Sequence, residues 1–202
     1  MLLKHYTHSK AAKLLADRTR RADLDASDLS TAHKRVGNYL AYSFVENLAL
    51  ENYEIQHCQG IRTGERLKGE NGVALVCLMR SGLYIADGFR DVLRSAPLFC
   101  VQNNKETGLS PKDLLDLMNH SPHTIVLIDA VINSGDTIRP ILRQLKSLTK
   151  TKIFVFAGVG QEQSAHVLAH EHPEVHFEYL RLSSNSYIGH GPTDTGNRLF
   201  GR

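Results

Sequence analysis

Apolar runs and helical patterns alternate along most of the chain. The runs are almost uninterrupted by polar residues, which is typical of strands buried on both faces of a sheet. Between them, apolar residues recur at helical spacing. This alternation predicts an α/β fold with a mostly parallel sheet flanked by helices. The predicted strands cover residues 73–79, 97–101, 124–129, 152–159 and 175–182, and the predicted helices cover 83–93, 111–118, 137–148 and 162–171.

The first 50 residues precede this alternation and carry helical patterns of their own. Residues 10–15 predict a short helix. A longer helix is predicted to run to about Leu50, with Ser27 or Ser30 as its N-terminal cap, because serine hydroxyls accept hydrogen bonds from exposed backbone N–H groups. We expect both helices to be an N-terminal addition that packs on the body of the protein.

Two further segments depart from the alternation. Residues 53–67 alternate weakly and are interrupted by Gly60 and Gly64, which favours a projecting β-hairpin or arm over a core strand. Residues 183–201 form an irregular tail rich in Gly, Asn, Ser and Asp. Long irregular segments in compact domains are usually functional. We expect a single domain that spans residues 1–202.

Composition and charge narrow the class of protein. A net charge of +3 is too mild for a nucleic-acid binder but suits a protein that handles small anions. We find neither a membrane-length apolar run nor a signal-peptide pattern. The odd, widely spaced Cys58, Cys77 and Cys100 favour reduced thiols and a cytoplasmic protein. His166 and His170 share a helix face without a third ligand, so we expect no protein-bound metal.

A candidate phosphate site follows the predicted strand 124–129. The segment 133–137 leads into a helix N-terminus, where unpaired N–H groups and the helix dipole attract anions. Ser134 and Thr137 add hydroxyl donors, and Gly135 allows close approach of the backbone. Asp129 suits ribose hydroxyls better than an anion. These residues could equally be ordinary caps of a β–α turn, and the segment matches neither a GxxxxGK[ST] nor a GxGxxG loop.

This segment resembles a known motif. Residues 129–137 read Asp-Ala-Val-Ile-Asn-Ser-Gly-Asp-Thr and resemble Asp-Pro-Met-Leu-Ala-Thr-Gly-Gly-Ser, which binds phosphoribosyl pyrophosphate (PRPP) in uracil phosphoribosyltransferases. Asp136 replaces a glycine, so its carboxylate either points outward and caps the helix or points inward and repels phosphate. The resemblance implies PRPP contacts by Asp129, Ala130, Val131, Ile132, Asn133, Ser134, Gly135, Asp136 and Thr137.

A second segment resembles the same family. Residues 78–83, Leu-Met-Arg-Ser-Gly-Leu, are similar to its Leu-Arg-Ala-Gly-Leu turn. There, the arginine and the turn amides hold the pyrophosphate of PRPP. The resemblance implies that Arg80, Ser81 and Gly82 bind PRPP, and the fork of a guanidinium matches two phosphate oxygens.

The tail gives the most specific match. Residues 187–201, Tyr-Ile-Gly-His-Gly-Pro-Thr-Asp-Thr-Gly-Asn-Arg-Leu-Phe-Gly, resemble the family's Tyr-Ile-Ile-Pro-Gly-Leu-Gly-Asp-Ala-Gly-Asp-Arg-Leu-Phe-Gly without a gap. In the family, this loop reads uracil through its backbone. The resemblance implies that Ile188, Thr193, Asp194 and Thr195 bind the base, with Asp194 also reaching PRPP. Thr193 replaces a glycine, so the base pocket can differ from that of the family.

One family feature is missing. Asn103 stands where the family has an arginine that contacts a PRPP phosphate, and Lys105 is the nearest charged residue that could compensate. Loss of one charge-assisted contact costs about 1.5–3 kcal/mol, or roughly ten- to a hundredfold in affinity.

The resemblance extends from about His33 to the C-terminus and implies a function. We expect transfer of the phosphoribosyl group of PRPP to uracil, with Asp129, Arg80 and Asp194 in catalysis and Mg²⁺ bound through PRPP. The arm implies a homodimer or larger homo-oligomer. Two alternatives stay open. One is transfer to another base, and the other is a regulatory protein that binds uridine monophosphate (UMP) or PRPP without turnover.

Overall fold

The computed structural model describes residues 2–102, 106–146, 148, 151–186 and 189–202. The helices are α1 (Lys10–Arg20), α2 (Ala26–Val45), α3 (Leu83–Val92), α4 (Pro111–His120), α5 (Ile138–Leu145), α6 (Glu162–Glu171) and α7 (Thr195–Leu199). The strands are β1 (Leu2–His5), β2 (Leu50–His57), β3 (Gly60–Leu67), β4 (Val73–Leu78), β5 (Leu98–Val101), β6 (Thr124–Ile132), β7 (Lys152–Gln161) and β8 (His176–Ser183). Within this part of the chain, no helix combines the length and the apolar character that a membrane crossing requires.

Six strands form one parallel sheet in the order β1-β8-β7-β6-β4-β5, so the predicted α/β fold is confirmed. β5, which follows β4 in sequence, lies on one side of the β4–β6 pair. β7 and β8, which follow β6, lie on the other side. The loops that follow β4 and β6 therefore diverge, and a crevice opens at the carboxyl ends of these two strands. Open α/β sheets bind ligands at such a switch point.

Two apolar layers cover the faces of this sheet. All six residues of β4 are buried, with Ala74 and Val76 in one layer and Leu75 and Cys77 in the other. This alternation follows from the two-residue period of a strand. Helices α5 and α6 pack in the first layer, and α1, α2 and α3 pack in the second. The candidate phosphate loop leads into the first layer, because α5 begins directly after this loop.

The N-terminal segment is part of the sheet, which the sequence did not predict. β1 pairs in parallel with β8, with Leu3 opposite Phe177. Its four residues are too short to give a strand pattern. Helix α1 also continues five residues beyond the predicted end at Leu15. The predicted caps Ser27 and Ser30 of the next helix were wrong.

The cap of α2 is Asp25, whose carboxylate accepts a hydrogen bond from the Asp28 N–H at 2.8 Å. The helix ends at Val45, short of the predicted Leu50, because Leu50 begins the hairpin. That hairpin was predicted correctly. β2 and β3 pair antiparallel in a sheet of their own, and they expose Leu50, Tyr53 and Ile61.

Three features of the chain after Asp129 also differ from the prediction. β6 continues three residues past Asp129, because it keeps pairing with β7 after its pairing with β4 has ended at Ile128. The tail is not irregular throughout. It contains a 3₁₀ turn at Gly191–Thr193 and helix α7, which place Asp194 and Thr195 beside the switch point. Helix α5 ends at Leu145, before the predicted residue 148.

Candidate active site

Three adjoining cavities lie at the switch point. The phosphate hollow, of about 170 Å³, is formed by Asp129 and residues 131–138. The central cleft, of about 310 Å³, lies between the turn after β4, the end of β6 and the tail. The inner cavity, of about 330 Å³, lies under the tail against α1 and α2. Val131 and Asn133 line all three, so the cavities share walls and together make up the crevice at the switch point.

The phosphate hollow is shaped by its backbone. Gly135 has φ +83°, a left-handed conformation that favours glycine, and an added Cβ would lie 2.9 Å from the Leu168 side chain. Thr137 precedes α5, makes no side-chain cap and lines the hollow together with Ser134 and Gly135. The N–H groups of the first two residues of α5 donate to the Gly135 carbonyl. The predicted phosphate residues Ser134, Gly135 and Thr137 are therefore brought together at one helix N-terminus.

Asp136 lies on the rim of the hollow and pairs with a residue that the sequence analysis missed. Its Oδ2 accepts from the Ser134 hydroxyl at 2.7 Å, and its Oδ1 lies 3.4 Å from Nη1 of Arg139. Arg139 also donates to the Ser134 carbonyl at 2.8 Å and to Glu171 at 2.7 Å. The carboxylate of Asp136 is thus held along the rim beside a cation. The three-residue spacing of Asp136 and Arg139 on a helix was the available signal.

Asp129 lies between the phosphate hollow and the central cleft and lines both. It is 8% exposed. Its Oδ1 accepts from the Ser81 hydroxyl and, at 2.7 Å, from the Ala130 N–H. Burial raises the pKa of this carboxyl to about 6, although hydrogen bonds from Ser81, Ala130 and Val131 lower it. The group is therefore an ionised acceptor near neutral pH.

The turn after β4 packs directly against β6. A Cβ at Gly82 would lie 2.4 Å from the Ile128 carbonyl oxygen, so only glycine fits this approach. Ser81 lines the central cleft with Asp129. The exposed Arg80, preceded by a cis peptide bond, donates from Nη2 to Asn197 Oδ1 at 2.9 Å. Its guanidinium also lies 5.9 Å from the Phe200 ring centre. Arg80 therefore joins the turn to the tail.

Residues of the tail form one wall of the central cleft and of the inner cavity. Asp194 lines the central cleft and caps α7, since its Oδ1 accepts from the Asn197 N–H at 2.8 Å. The Thr193 hydroxyl donates to the His190 carbonyl at 3.0 Å. Thr193 lines the inner cavity, whereas Thr195 lines both the inner cavity and the central cleft. Three of the four predicted base-binding residues, Thr193, Asp194 and Thr195, therefore lie where these two cavities meet.

A family model of uracil phosphoribosyltransferase matches residues 6–202 of this chain. The chain belongs to the uracil phosphoribosyltransferase family. Its resemblance in the three segments around the crevice is thus part of a match along almost the whole chain.

One solved structure shares the fold of this family member, and two others match it less closely. The AQ2163 protein from Aquifex aeolicus is 20% identical and superposes with a TM-score of 0.76 over 98% of each chain. Xanthine-guanine-hypoxanthine phosphoribosyltransferase from Helicobacter pylori matches at 15% identity and TM-score 0.42, over 80% of this chain and 78% of that one. Orotate phosphoribosyltransferase from Aeropyrum pernix matches at 15% and 0.40, over 71% and 93%.

Some family positions cannot be compared with the structure. Asn103, Lys105 and Ile188 lie outside the described residues, so their expected contacts with PRPP and with the base stay predictions.

The inner cavity of this family member contains polar residues that the sequence analysis missed. His33 on α2 is buried, and its Nδ1 donates to the Leu29 carbonyl at 2.9 Å. Burial lowers the pKa of His33, and the charge of Arg198 lowers it further, so the ring is neutral with Nε2 as an acceptor. Arg20 and Arg181 line the same cavity. No sequence motif links these residues, because they come from separate elements.

Proposed function

We propose that this protein transfers the phosphoribosyl group of PRPP to uracil and releases UMP and pyrophosphate. The observation that carries the proposal is the position of Asp129 between the phosphate hollow and the central cleft, in contact with Ser81 of the turn after β4. Phosphate, ribose and pyrophosphate sites in this order would match the groups along PRPP.

Each part of PRPP has a candidate site. The 5′-phosphate would lie in the phosphate hollow, against the backbone of residues 134–137 that leads into α5. The ribose hydroxyls would donate to the carboxylate of Asp129, which is ionised near neutral pH. The pyrophosphate, carrying Mg²⁺, would lie against the turn of residues 80–82. Mg²⁺ prefers oxygen ligands and keeps several waters, and the oxygens of Ser81 and Asp194 line this cleft.

The reaction needs alignment and charge stabilisation more than covalent help. A ring nitrogen of the base forms a bond to C1′ of the ribose as the C1′–O bond to pyrophosphate breaks, and the ring N–H proton is lost to solvent. Positive charge develops on the ribose in the transition state. A buried carboxylate at Asp129 would stabilise that charge, while the turn of residues 80–82 and Mg²⁺ would stabilise the departing pyrophosphate. Residues 193–195 would hold the base.

A regulatory role is the second candidate. Two observations favour it: the carboxylate of Asp136 on the rim of the hollow, and the contact of Arg80 with Asn197 in the tail. Such a protein would bind PRPP or UMP in the same crevice without turnover.

The test is product formation from PRPP, Mg²⁺ and uracil by the purified protein. We expect stoichiometric pyrophosphate and UMP, measured by phosphorus NMR and chromatography. Product with another base alone would contradict the choice of uracil. Tight binding of PRPP or UMP without product from any base would favour the regulatory role.

We also propose a homodimer or larger homo-oligomer that uses the hairpin. Leu50 is 54% exposed and Ile61 is 56% exposed on β2 and β3, and Tyr53 adds an exposed ring. Exposed apolar side chains on a projecting hairpin are available for contacts with a second copy of the chain. Light scattering of the wild type should give at least twice the mass of one chain, and Ile61→Glu should lower that mass.

A further inference from the structure

The inner cavity has an unusual set of charges. Arg20 from α1, Arg181 from β8 and Arg198 from α7 line it, and none of the described residues in its wall is Asp or Glu. The proposed reaction does not use these arginines, since the 5′-phosphate and the pyrophosphate are assigned to other parts of the crevice.

Arg181 differs from the other two arginines in the contacts of its side chain. Its side chain is half-buried and makes no hydrogen bond or ion pair with any part of the chain that the structure describes. Burial lowers its pKa, and the nearby charge of Arg20 lowers it further. A partly desolvated guanidinium beside a second cation is unfavourable unless an anion joins them.

The other two arginines differ in what they already bind. Arg198 donates to the Arg21 carbonyl and so fixes α7 to the connection between α1 and α2. Arg20 lies 3.9 Å from Asp17, and both side chains are largely exposed. Such a pair is weak in water. Arg20 and Arg181 are therefore the two cations available to a ligand.

The cavity is placed to receive part of the acceptor base. Thr195 lines both the inner cavity and the central cleft, where C1′ of PRPP would lie. A ring held at Thr193 and Thr195 would extend from the cleft into the inner cavity, towards Arg181. The volume of about 330 Å³ is in the range of small-molecule sites.

We propose that a uracil that carries a carboxylate is a better acceptor than uracil itself, because Arg181 and Arg20 bind the carboxylate in the inner cavity. This inference rests on the proposed phosphoribosyl transfer and specifies its acceptor. A carboxylate is planar and presents two oxygens, which match the fork of a guanidinium. The carboxylate takes no part in bond making. It places the ring so that its nitrogen faces C1′ in the central cleft.

The test compares acceptors that differ in charge at equal size. Pyrophosphate release is measured with uracil, with its 5- and 6-carboxylates, and with the two matching carboxamides. We expect kcat/KM for one carboxylate to exceed that for uracil and for its carboxamide by about tenfold or more. Arg181→Gln should reduce this preference about 10- to 100-fold, and Arg181→Lys should reduce it less, because lysine keeps the charge but loses the fork.

Arg18→Gln is the matched control. Arg18 lies on the same helix as Arg20 but faces a different depression, so its loss should leave the preference unchanged. The inference is overturned if the wild type shows no preference for a carboxylate. It is also overturned if Arg181→Gln leaves that preference intact.

The two proposals can fail separately. Pyrophosphate release with uracil, and no advantage for either carboxylate, would overturn this inference alone. No release with any acceptor would overturn the proposed transfer. In that case calorimetric binding of the carboxylates and of uracil in the presence of PRPP decides. Tighter carboxylate binding that Arg181→Gln abolishes would support the arginine site, and equal binding of both ligands would overturn it.

Discussion

The phosphate hollow and the inner cavity are neighbours built in opposite ways. The hollow is made by one contiguous segment, Asp129 with residues 131–138, and mainly by backbone groups. The inner cavity is assembled from α1, α2, β6, β7, β8 and the tail, and its character comes from side chains. The comparison indicates that the two regions have different roles in the proposed reaction. The contiguous segment would hold the part of the reaction shared by all acceptors, and the assembled cavity would choose the acceptor.

The largest expected effect comes from Asp129→Asn. In the proposed complex the carboxylate accepts charge-assisted hydrogen bonds from two ribose hydroxyls. Its loss should therefore lower kcat/KM about 10²- to 10⁴-fold. The fall should be equal for every acceptor, since Asp129 belongs to the shared part of the site. Initial rates of pyrophosphate release measure this. An unchanged rate, or a loss confined to one base, would contradict the proposed difference in roles.

The same substitution should stabilise the fold. The folded pKa of Asp129, about 6, is above its ordinary value of 3.8, so above about pH 6 the folded protein holds a buried charge that the unfolded chain exposes to water. Asparagine removes that cost, and the free energy of unfolding near pH 7 should rise by roughly 1–3 kcal/mol. The gain should disappear below about pH 4, where the carboxyl is protonated in both states. Urea unfolding at several pH values tests this, and a loss of stability near neutral pH would contradict it.

Gly135→Ala should weaken PRPP binding without changing the choice of acceptor. At φ +83°, with Leu168 2.9 Å from the new Cβ, alanine must shift the loop, at a cost of about 1–3 kcal/mol. We expect the KM for PRPP to rise about tenfold. Gly69→Ala is the control. Gly69 has φ +69° but lies before β4, at the opposite edge of the sheet. The control should lose stability and keep the KM for PRPP, and equal changes in both variants would point to a global effect.

The smallest effect is expected at the rim. Arg139→Gln removes the cationic partner of the Asp136 carboxylate. The KM for PRPP should then rise a few-fold, because the carboxylate repels the phosphate. Asp136→Asn should lower this KM slightly, and the double variant should return close to the wild type. Steady-state kinetics at low salt tests the cycle. Additive effects would mean that Arg139 acts on PRPP independently of Asp136.

The sheet could be predicted from the sequence because its evidence is local. β4 and β6 are apolar runs whose residues are all or nearly all buried, and burial on both faces removes polar alternation. β1 could not be predicted, because four residues carry little pattern and its place depends on β8, more than 170 residues away. The cap at Asp25 was missed because Ser27 and Ser30 offer the same chemistry a few residues later.

The candidate site could likewise be predicted only where its residues are close together in the sequence. Asp129, Gly135 and Thr137 lie in one short segment, so the sequence alone places Asp129 on a strand and the other two residues just before the helix that follows. Arg139 lies two residues beyond the recognised motif, which ends at Thr137. His33, Arg181 and Arg198 are brought together only by packing of α2, β8 and α7. Without the fold, each of them is an ordinary polar residue on its own element.

Binding of Mg²⁺–PRPP without any base tests the central claim most directly. Calorimetry would compare the wild type, Asp129→Asn and Arg181→Gln. We predict that Asp129→Asn weakens binding at least about tenfold. Arg181→Gln should bind PRPP as the wild type does, because its cavity is reserved for the acceptor. The opposite pattern, with binding kept in Asp129→Asn and lost in Arg181→Gln, would contradict the account.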